Sequence, residues 1–432
     1  MAGFQAGQPN GLAVQELEQL LRAALFKPAS QIVGYLLQGA ADRIDAFYQP
    51  KPGEHYKGRQ TLKVRCLFGS FSIHRAYYYD PDQEAGHHPA DAALGLEGAL
   101  TPALAKILCL EAVDETSFQK AQEHLAQTGG IEVEASQIQR WVGRVGQGAI
   151  DWQSREAKPQ PCDAKVLYLS ADGTGVPMRK AELAGRKGKQ PDGSAKTRQA
   201  YLGAVFTQHT CDEKGRPIRD YQSTTYLSSF ENIEDFGLLL RKEALRRGSG
   251  TAQKIVLLFD GAEGLENMGK INFPGCQQIV DFYHAMEHLA KVLEALTGQR
   301  PGKGDKQYKK WTKLLLKDGV GKIIDQAREL AAGKACQKAV EKELHYFVHN
   351  TGRMLYGTYR KAGYFIGSGV IEAGCKTVVG ARCKQSGMFW SEKGAHKVLA
   401  LRCIKCGNTW ESFWRERLNT RSALNDALPL AA

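Results

Sequence analysis

The chain has 432 residues, 43% of them hydrophobic, and a formal net charge of +12. That length implies two to four domains with a sizeable core, and the basic balance suits a polyanionic partner, nucleic acid ahead of a membrane surface. No stretch reaches the run of about eighteen apolar residues that a membrane-spanning helix needs, which excludes one. The start, MAGFQAGQPNG, lacks the basic-then-apolar order of a signal peptide. The ten cysteines have no disulfide-framework spacing, so reduced thiols in a cytoplasmic protein are expected.

The first ten residues read as disordered. Val14 to Leu25 and Gln31 to Phe47 are predicted as two amphipathic helices separated at Lys27-Pro28. A hairpin follows: Leu62, Val64, Cys66 and Phe68 alternate with polar or small residues, Gly69-Ser70 is read as the turn, and Phe71, Ile73, Arg75 and Tyr77 alternate again. Asp80 to Ala93 is a loop, in which His87 and His88 read as solvated. These segments form a first region, 1–95. In the next, 96–155, Thr101-Pro102 opens a helix with proline at its first position. Thr116 and Gln119 resemble a capping box for a second helix, stopped by Gly129-Gly130. Ser136 caps a third, with Ile138, Trp141, Val142 and Val145 inward and Arg140 and Arg144 outward. Two helices around a glycine turn, the second presenting arginines, fit a helix-turn-helix that reads DNA, or a pair with only a packing role.

Asp151 to Ala164 reads as a linker into a third region, 156–432. Lys165 to Gly175, KVLYLSADGTG, has an apolar run, Val166–Leu169, ending in Asp172-Gly173. Lys254 to Gly261, KIVLLFDG, repeats the pattern. An apolar run stopped by a turn signal reads as a buried parallel strand, and a carboxylate at such a strand end sits where open α/β sheets place their chemistry. Asp-Gly is also an ordinary turn dipeptide; the repeat favours the functional reading. Arg179 to Arg198 is a polar, basic loop. Gln199–Gln208 and Ile218–Leu227 are strands around the turn at Asp212 to Gly215, Glu231–Arg247 a helix, and Cys276–Val280 a further strand. Three strands, helix, strand, helix, strand is the order of a ribonuclease-H-like mixed sheet, with the first strand central and the fourth parallel beside it. Asp281–Leu296 is a helix. Residues 298–364 read as an all-α insertion, and the tail beyond Leu424 as frayed.

Two metal ions held by about three carboxylates activate an attacking oxygen and stabilise the leaving oxygen at a phosphodiester, and Mg²⁺ favours such oxygen ligands. Asp172 and Asp260 supply two carboxylates. The third choice is Glu372, in the first turn of a helix that Ser368 would cap after a glycine-rich break. Lys376, Arg382 and Lys384 follow it as cations for phosphate. Lys384, Met388, Phe389 and Trp390 mix charge with aromatic rings, which suits a DNA end or a core equally.

The blocks SADGTGVPM at Asp172, LLFDGAEGLENM at Asp260, FPGCQQIVDFYHAMEHL at Asp281 to His284 and GSGVIEAGCKTVVGARCKQSGMFW at Glu372 resemble those of the DDE transposases of bacterial insertion sequences. The ISKra type is the nearest and the Mutator type more distant. The resemblance spans Leu62 to the C-terminal helices. It implies that Asp172, Asp260 and Glu372 bind two Mg²⁺ or Mn²⁺ ions, and that Asp281 and His284 match a C/D-x-x-H motif. It further implies nicking at the element's terminal repeats, attack of the freed 3′-OH on target DNA, and at least a homodimer on DNA. No CxxC stands near Tyr79-Asp80, so no N-terminal zinc site is expected.

Two other readings compete. His284-Ala285-Met286-Glu287-His288 matches the H-x-x-E-H zinc-protease pattern, which leaves the Asp-Gly repeat and the basic balance unexplained. A DNA-binding protein derived from a transposase but without catalysis would keep the helix-turn-helix and the charge. Cys403 and Cys406 form a lone CxxC, read as packing cysteines rather than a zinc site.

Overall fold

The first two predicted helices are one. In the computed structural model, which describes residues 11–156, 158–183, 197–302 and 304–423, α1 (Gly11–Phe47) runs 37 residues with Pro28 inside it. A proline there forfeits one backbone hydrogen bond. Next to it the Ser30 hydroxyl donates to the Lys27 carbonyl at 2.8 Å, and Ser30 is buried, so packing on this side of the proline holds the helix through the expected break. The N-terminal ten residues, most of the basic loop at 179–198 and the tail beyond Leu424 lie outside the described residues.

The chain divides into two units, one of residues up to Val145 with those from Glu411 onward, the other Gly146–Trp410. In the first, β1 (His55–Cys66) and β2 (Gly69–Asp80) pair antiparallel, from His55 opposite Tyr79 to Cys66 opposite Gly69. The turn is therefore Leu67-Phe68, and Gly69-Ser70 already belongs to β2. The inward set also slips: Ile73 and Arg75 are buried, then Ala76 and Tyr78 rather than Tyr77. A register shift between Tyr56 and Arg59 lies opposite this stretch. Buried Arg75 is neutralised by Asp91 in a two-pronged bond of 2.8 and 3.0 Å. A short β3 (Ala85–His87) and α2 (Pro89–Ala93) lie within the expected loop.

Then come α3 (Pro102–Asp114), which does start with proline after Thr101, and α4 (Phe118–His124). Ser117, not Thr116, caps α4, accepting from the Lys120 N–H at 3.0 Å. Gly130, left-handed at φ 61°, ends the turn that follows. α5 (Ala135–Ser154) begins one residue before Ser136, and its first N–H is taken by Gln122 at 2.8 Å. Burial of Ile138, Val142 and Val145 follows the predicted stripe. The C-terminal helix Trp410–Ala423 gives Arg417 to buried Glu97 at 2.6 and 3.0 Å.

The second unit is built on one five-stranded sheet. β4 (Val166–Pro177) is central. β5 (Thr197–Gln208) pairs antiparallel on one side, followed by β8 (Thr225–Ser229); β9 (Ile255–Phe259) pairs parallel on the other, followed by β10 (Gln277–Val280). Order and directions are those expected from the sequence. The predicted strand Ile218–Leu227 is divided. Ile218 pairs in a separate two-stranded ribbon, β6 (Thr210–Cys211) with β7 (Pro217–Ile218), and the sheet strand starts only at Thr225. Left-handed Gln222 (φ 55°) lies between them, and a non-glycine residue there breaks an extended run.

α6 (Ile233–Arg246), capped by Asn232, and α7 (Glu263–Asn272) flank β9 in the chain. α8 (Phe282–Thr297) starts at the Asp281 cap. The insertion is helical: α9 (Lys306–Leu315), α10 (Val320–Ala331), α11 (Gln337–Asn350) and α12 (Tyr356–Lys361). It is no separate body, because Trp311, Ile323, Leu344 and Phe347 join the same buried cluster as Leu167, Leu169, Leu257 and Phe259 of the sheet. α13 (Gly369–Gly374) runs into a π-helical turn, Cys375–Gly380, before α14 (Glu392–Cys406). Among the described residues no helix is long and apolar enough to cross a membrane.

Candidate active site

β4 does not end at Asp172. It continues five residues further, pairing Asp172 with Leu202 and Gly173 with Tyr201 on β5. What ends is its parallel partner: the β4–β9 ladder runs from Leu167 opposite Ile255 to Ser170 opposite Leu258. Carried two residues past its last pair, that register sets Asp172 opposite Asp260. So the first Asp-Gly is no turn. At Gly173 the end of the exposed Gln199 side chain lies over the place a Cβ would take. The second is a turn: Gly261 has φ 91°, and a Cβ there would meet the Tyr346 ring at 3.0 Å.

Both carboxylates are partly exposed and held locally. Asp172 Oδ1 accepts from the Gly173 N–H at 2.7 Å, and Oδ2 from the Cys375 thiol at 3.4 Å. Burial, then the neighbouring Asp172 charge, push that thiol up to about 12. Asp260 Oδ1 accepts from the Ala262 N–H at 2.8 Å, and the Tyr346 hydroxyl donates to the Asp260 carbonyl at 2.8 Å.

Glu372 arrives by a different route. Asp281, fully buried at the end of β10, accepts the His284 N–H on Oδ1 at 2.6 Å and the Ser368 N–H on Oδ2 at 2.5 Å. The Ser368 hydroxyl donates to Glu372 Oε1 at 3.0 Å. Ser368 thus stands at the start of α13 as expected, but bonds the glutamate one turn on instead of the helix's own N–H groups. Burial opposes an ionised Asp281, yet its bonds from His284 and Ser368 hold it below the usual carboxylate range. The Asp281 side chain in turn holds His284 up at about 9 against burial. Ligand atoms of Asp281, His284 and Glu372 all lie within 4.8 Å of one another.

Asp172, Asp260 and Glu372 are not among the sets of three candidate ligands, within the described residues, that lie so close together. Glu372 is bonded by the Ser368 hydroxyl. Asp281, expected only from the resemblance, reaches it through the Ser368 N–H, and His284 lies within 4.8 Å. The three carboxylates still offer the oxygen donors that Mg²⁺ or Mn²⁺ takes, so the donor chemistry fits such an ion.

Two expected DNA contacts are packed instead. Arg382 is 1% exposed and lies 5.1 Å over the Trp390 ring, itself 8% exposed. Burial pushes the guanidinium down to about 10. Trp390 also gives its indole N–H to the Cys383 carbonyl at 3.2 Å, so it is a core residue. Lys376 and Lys384 are exposed, and Lys384 reaches Thr174, two residues beyond Asp172, at 2.5 Å. In the first unit, Arg140 and Arg144 are exposed on α5 and line a groove of about 160 Å³ with Arg65, Gln137 and Trp141. Arg144 lies 4.8 Å over Trp141.

The H-x-x-E-H residues serve separate neighbours. His284 belongs to Asp281, while His288 stacks on Tyr346 with centroids 3.7 Å apart. Cys403 is buried within α14, which pushes its thiol up to about 12. Cys375 and Tyr346 escaped the sequence reading. Neither carries a local signal, whereas the Ser368–Glu372 spacing of one helical turn does.

A family model matches residues 8–417. The chain belongs to the uncharacterised protein family UPF0236. No curated protein matches this member of the family. Among solved structures, the Drosophila P element transposase strand transfer complex is similar at a TM-score of 0.25 and 10% identity, covering 74% of this chain and 80% of that chain.

Proposed function

We propose that this protein is a DDE transposase of an insertion sequence, of the ISKra type its motifs resemble, with a ribonuclease-H-like catalytic sheet. The observation that carries the reading is the parallel β4–β9 ladder, whose last pair, Ser170 and Leu258, stands two residues before Asp172 and Asp260 on their strands. The strand order, with the first strand central and three parallel members, supports it.

Asp172, Asp260 and Glu372 would hold two Mg²⁺ or Mn²⁺ ions, which when bound polarise the scissile phosphate and neutralise charge on the attacking and leaving oxygens. The chain's own part is placement. The sheet edge fixes two carboxylates, and the Asp281–Ser368 bonds deliver the third. Lys376 and Lys384 attract the phosphate backbone, and Arg140 and Arg144 on α5 read the terminal repeat. A water and then the freed 3′-OH attack in line, first at the element's end and then at target DNA. Joining two ends calls for at least a homodimer on DNA. With a net charge of +12, the protein would work at the nucleoid in the cytoplasm.

The test is strand cleavage and joining on labelled DNA carrying the element's terminal repeats, with Mg²⁺, Mn²⁺ or EDTA. Metal-dependent nicking is expected. Asp172→Ala, Asp260→Ala and Glu372→Ala should each lower it by at least about a hundredfold while end binding persists. Nicking retained in Asp260→Ala would sink the assignment. Specific binding without nicking in any metal would leave a DNA-binding protein that has lost catalysis.

A further inference from the structure

Beside Asp260 a cleft of about 340 Å³ opens between the turn after β9 and helix α11. Gly261 and Glu263 line it with Lys342, His345, Tyr346 and His349 of α11 and with His288 of α8, whose ring stacks on Tyr346. The Tyr346 hydroxyl holds the Asp260 carbonyl at 2.8 Å, so the wall of the cleft is tied to the candidate active site.

Three properties narrow what fits. Flat rings line it: His288 and Tyr346 lie 9° from parallel, and the exposed His345 and His349 are 5° from parallel with centroids 6.4 Å apart. Lys342, one turn before Tyr346 and exposed, adds a cation at the mouth. At the inner end two buried polar atoms, His288 Nδ1 and Asn350 Oδ1, have no hydrogen-bond partner, and Asn350 is only 1% exposed. A buried acceptor left without a partner is costly and calls for a ligand or water. Burial pushes His288 down to about 4, so its ring is neutral and stacks without a charge. An apolar ligand would leave these two polar atoms unmet. Glu263 and Glu343 also line the cleft and disfavour an anion within it, which leaves the exposed Lys342 as the place for a phosphate. Ring faces, a cation at the mouth and unmet polar atoms behind are the features that hold an unstacked nucleotide.

We propose that this cleft binds one unstacked nucleotide of the DNA strand that reaches Asp260, its base against the histidine and tyrosine rings and its phosphate at Lys342. The proposal rests on the DNA reading above and adds a single-strand subsite to it. The test uses the full chain in EDTA, with fluorescence anisotropy on a short labelled oligothymidylate and on a duplex of equal length. His345→Ala should weaken the single strand about tenfold, the effect of losing one stacked base, and leave the duplex within about twofold. Lys342→Ala should lower the salt slope on the single strand by about one. Both residues are exposed, so unchanged melting checks the fold. Equal losses on both probes, or no loss on either, would overturn the subsite. A wild-type protein that nicks repeat ends but ignores oligothymidylate would also overturn it and leave the transposase reading standing. Failure to bind any DNA would remove both.

Discussion

The two arms of the candidate active site are built by different means. Asp172 and Asp260 are placed by backbone: each follows by two residues the last pair of a parallel ladder, and strand pairing sets where both strands stand. Glu372 is placed by side chains, through Asp281 and Ser368, with Asp281 also bonding the His284 N–H, on a six-residue helix that runs into a π-helical turn. Such turns interrupt the regular helical ladder and gather at functional sites. A ladder position survives the loss of any one contact. A position set by three hydrogen bonds does not, so the Glu372 arm is where the site is adjustable and where it is vulnerable.

The sharpest way to break that contrast is Asp281→Ala. It orphans two buried N–H groups and leaves His284 without its counter-charge. Breaking a buried, hydrogen-bonded charge costs about 3–5 kcal/mol, read as a lowered urea midpoint. Asp281→Asn keeps an acceptor and should fold, while losing about tenfold or more in cleavage, as is usual when a group orienting a metal ligand is changed. Full activity in Asp281→Asn would show that Glu372 needs no such anchor.

The backbone arm was legible in the sequence and the side-chain arm only partly. KVLYLSADG and KIVLLFDG announce strands because four apolar residues in a row bury both faces of a sheet. The spacing to Asp-Gly differs, six residues from Val166 and five from Ile255, so the register comes from the ladder, which pairs Leu167 with Ile255. Yet the same dipeptide does two things: Gly261 turns the chain at φ 91°, while Gly173 stays in the strand beneath the end of the Gln199 side chain. That difference depends on a cross-strand neighbour far away in sequence. The packing of Arg382 on Trp390 was invisible for the same reason, since a cation beside an aromatic ring suits DNA or a core equally. Pro28 shows the reverse error, a strong local signal overridden by packing.

A second test probes how the insertion is tied to the sheet arm. Glu266 on α7 is 4% exposed and binds Lys270 at 2.5 Å, His349 of α11 at 2.8 Å and Arg353 in the turn after α11. Burial opposes its charge, but these bonds pull it down to about 2 from an ordinary 4.5. A depressed carboxylate stabilises the fold fully above its unfolded value and loses that contribution as pH falls through the folded one. Glu266→Gln should therefore cost about 2–3 kcal/mol at neutral pH. The gap between it and the wild type should close as urea midpoints are taken from pH 6 down towards pH 2. A gap that stays constant with pH would mean that Glu266 contributes by packing rather than by charge.

The smallest expected effect separates positioning from stability on the Glu372 arm. Ser368→Ala leaves the backbone N–H of residue 368 on Asp281 and removes only the hydroxyl that donates to Glu372 at 3.0 Å. One such bond contributes about 1 kcal/mol to folding, so melting should shift by only a few degrees. Cleavage should still fall about tenfold, because Glu372 loses the bond that sets its rotamer. Ser368→Thr keeps the hydroxyl and should restore most of the rate if that bond is what matters. Equal rates in Ser368→Ala and wild type would mean that helix α13 alone, like the ladder on the other arm, is enough to place the glutamate.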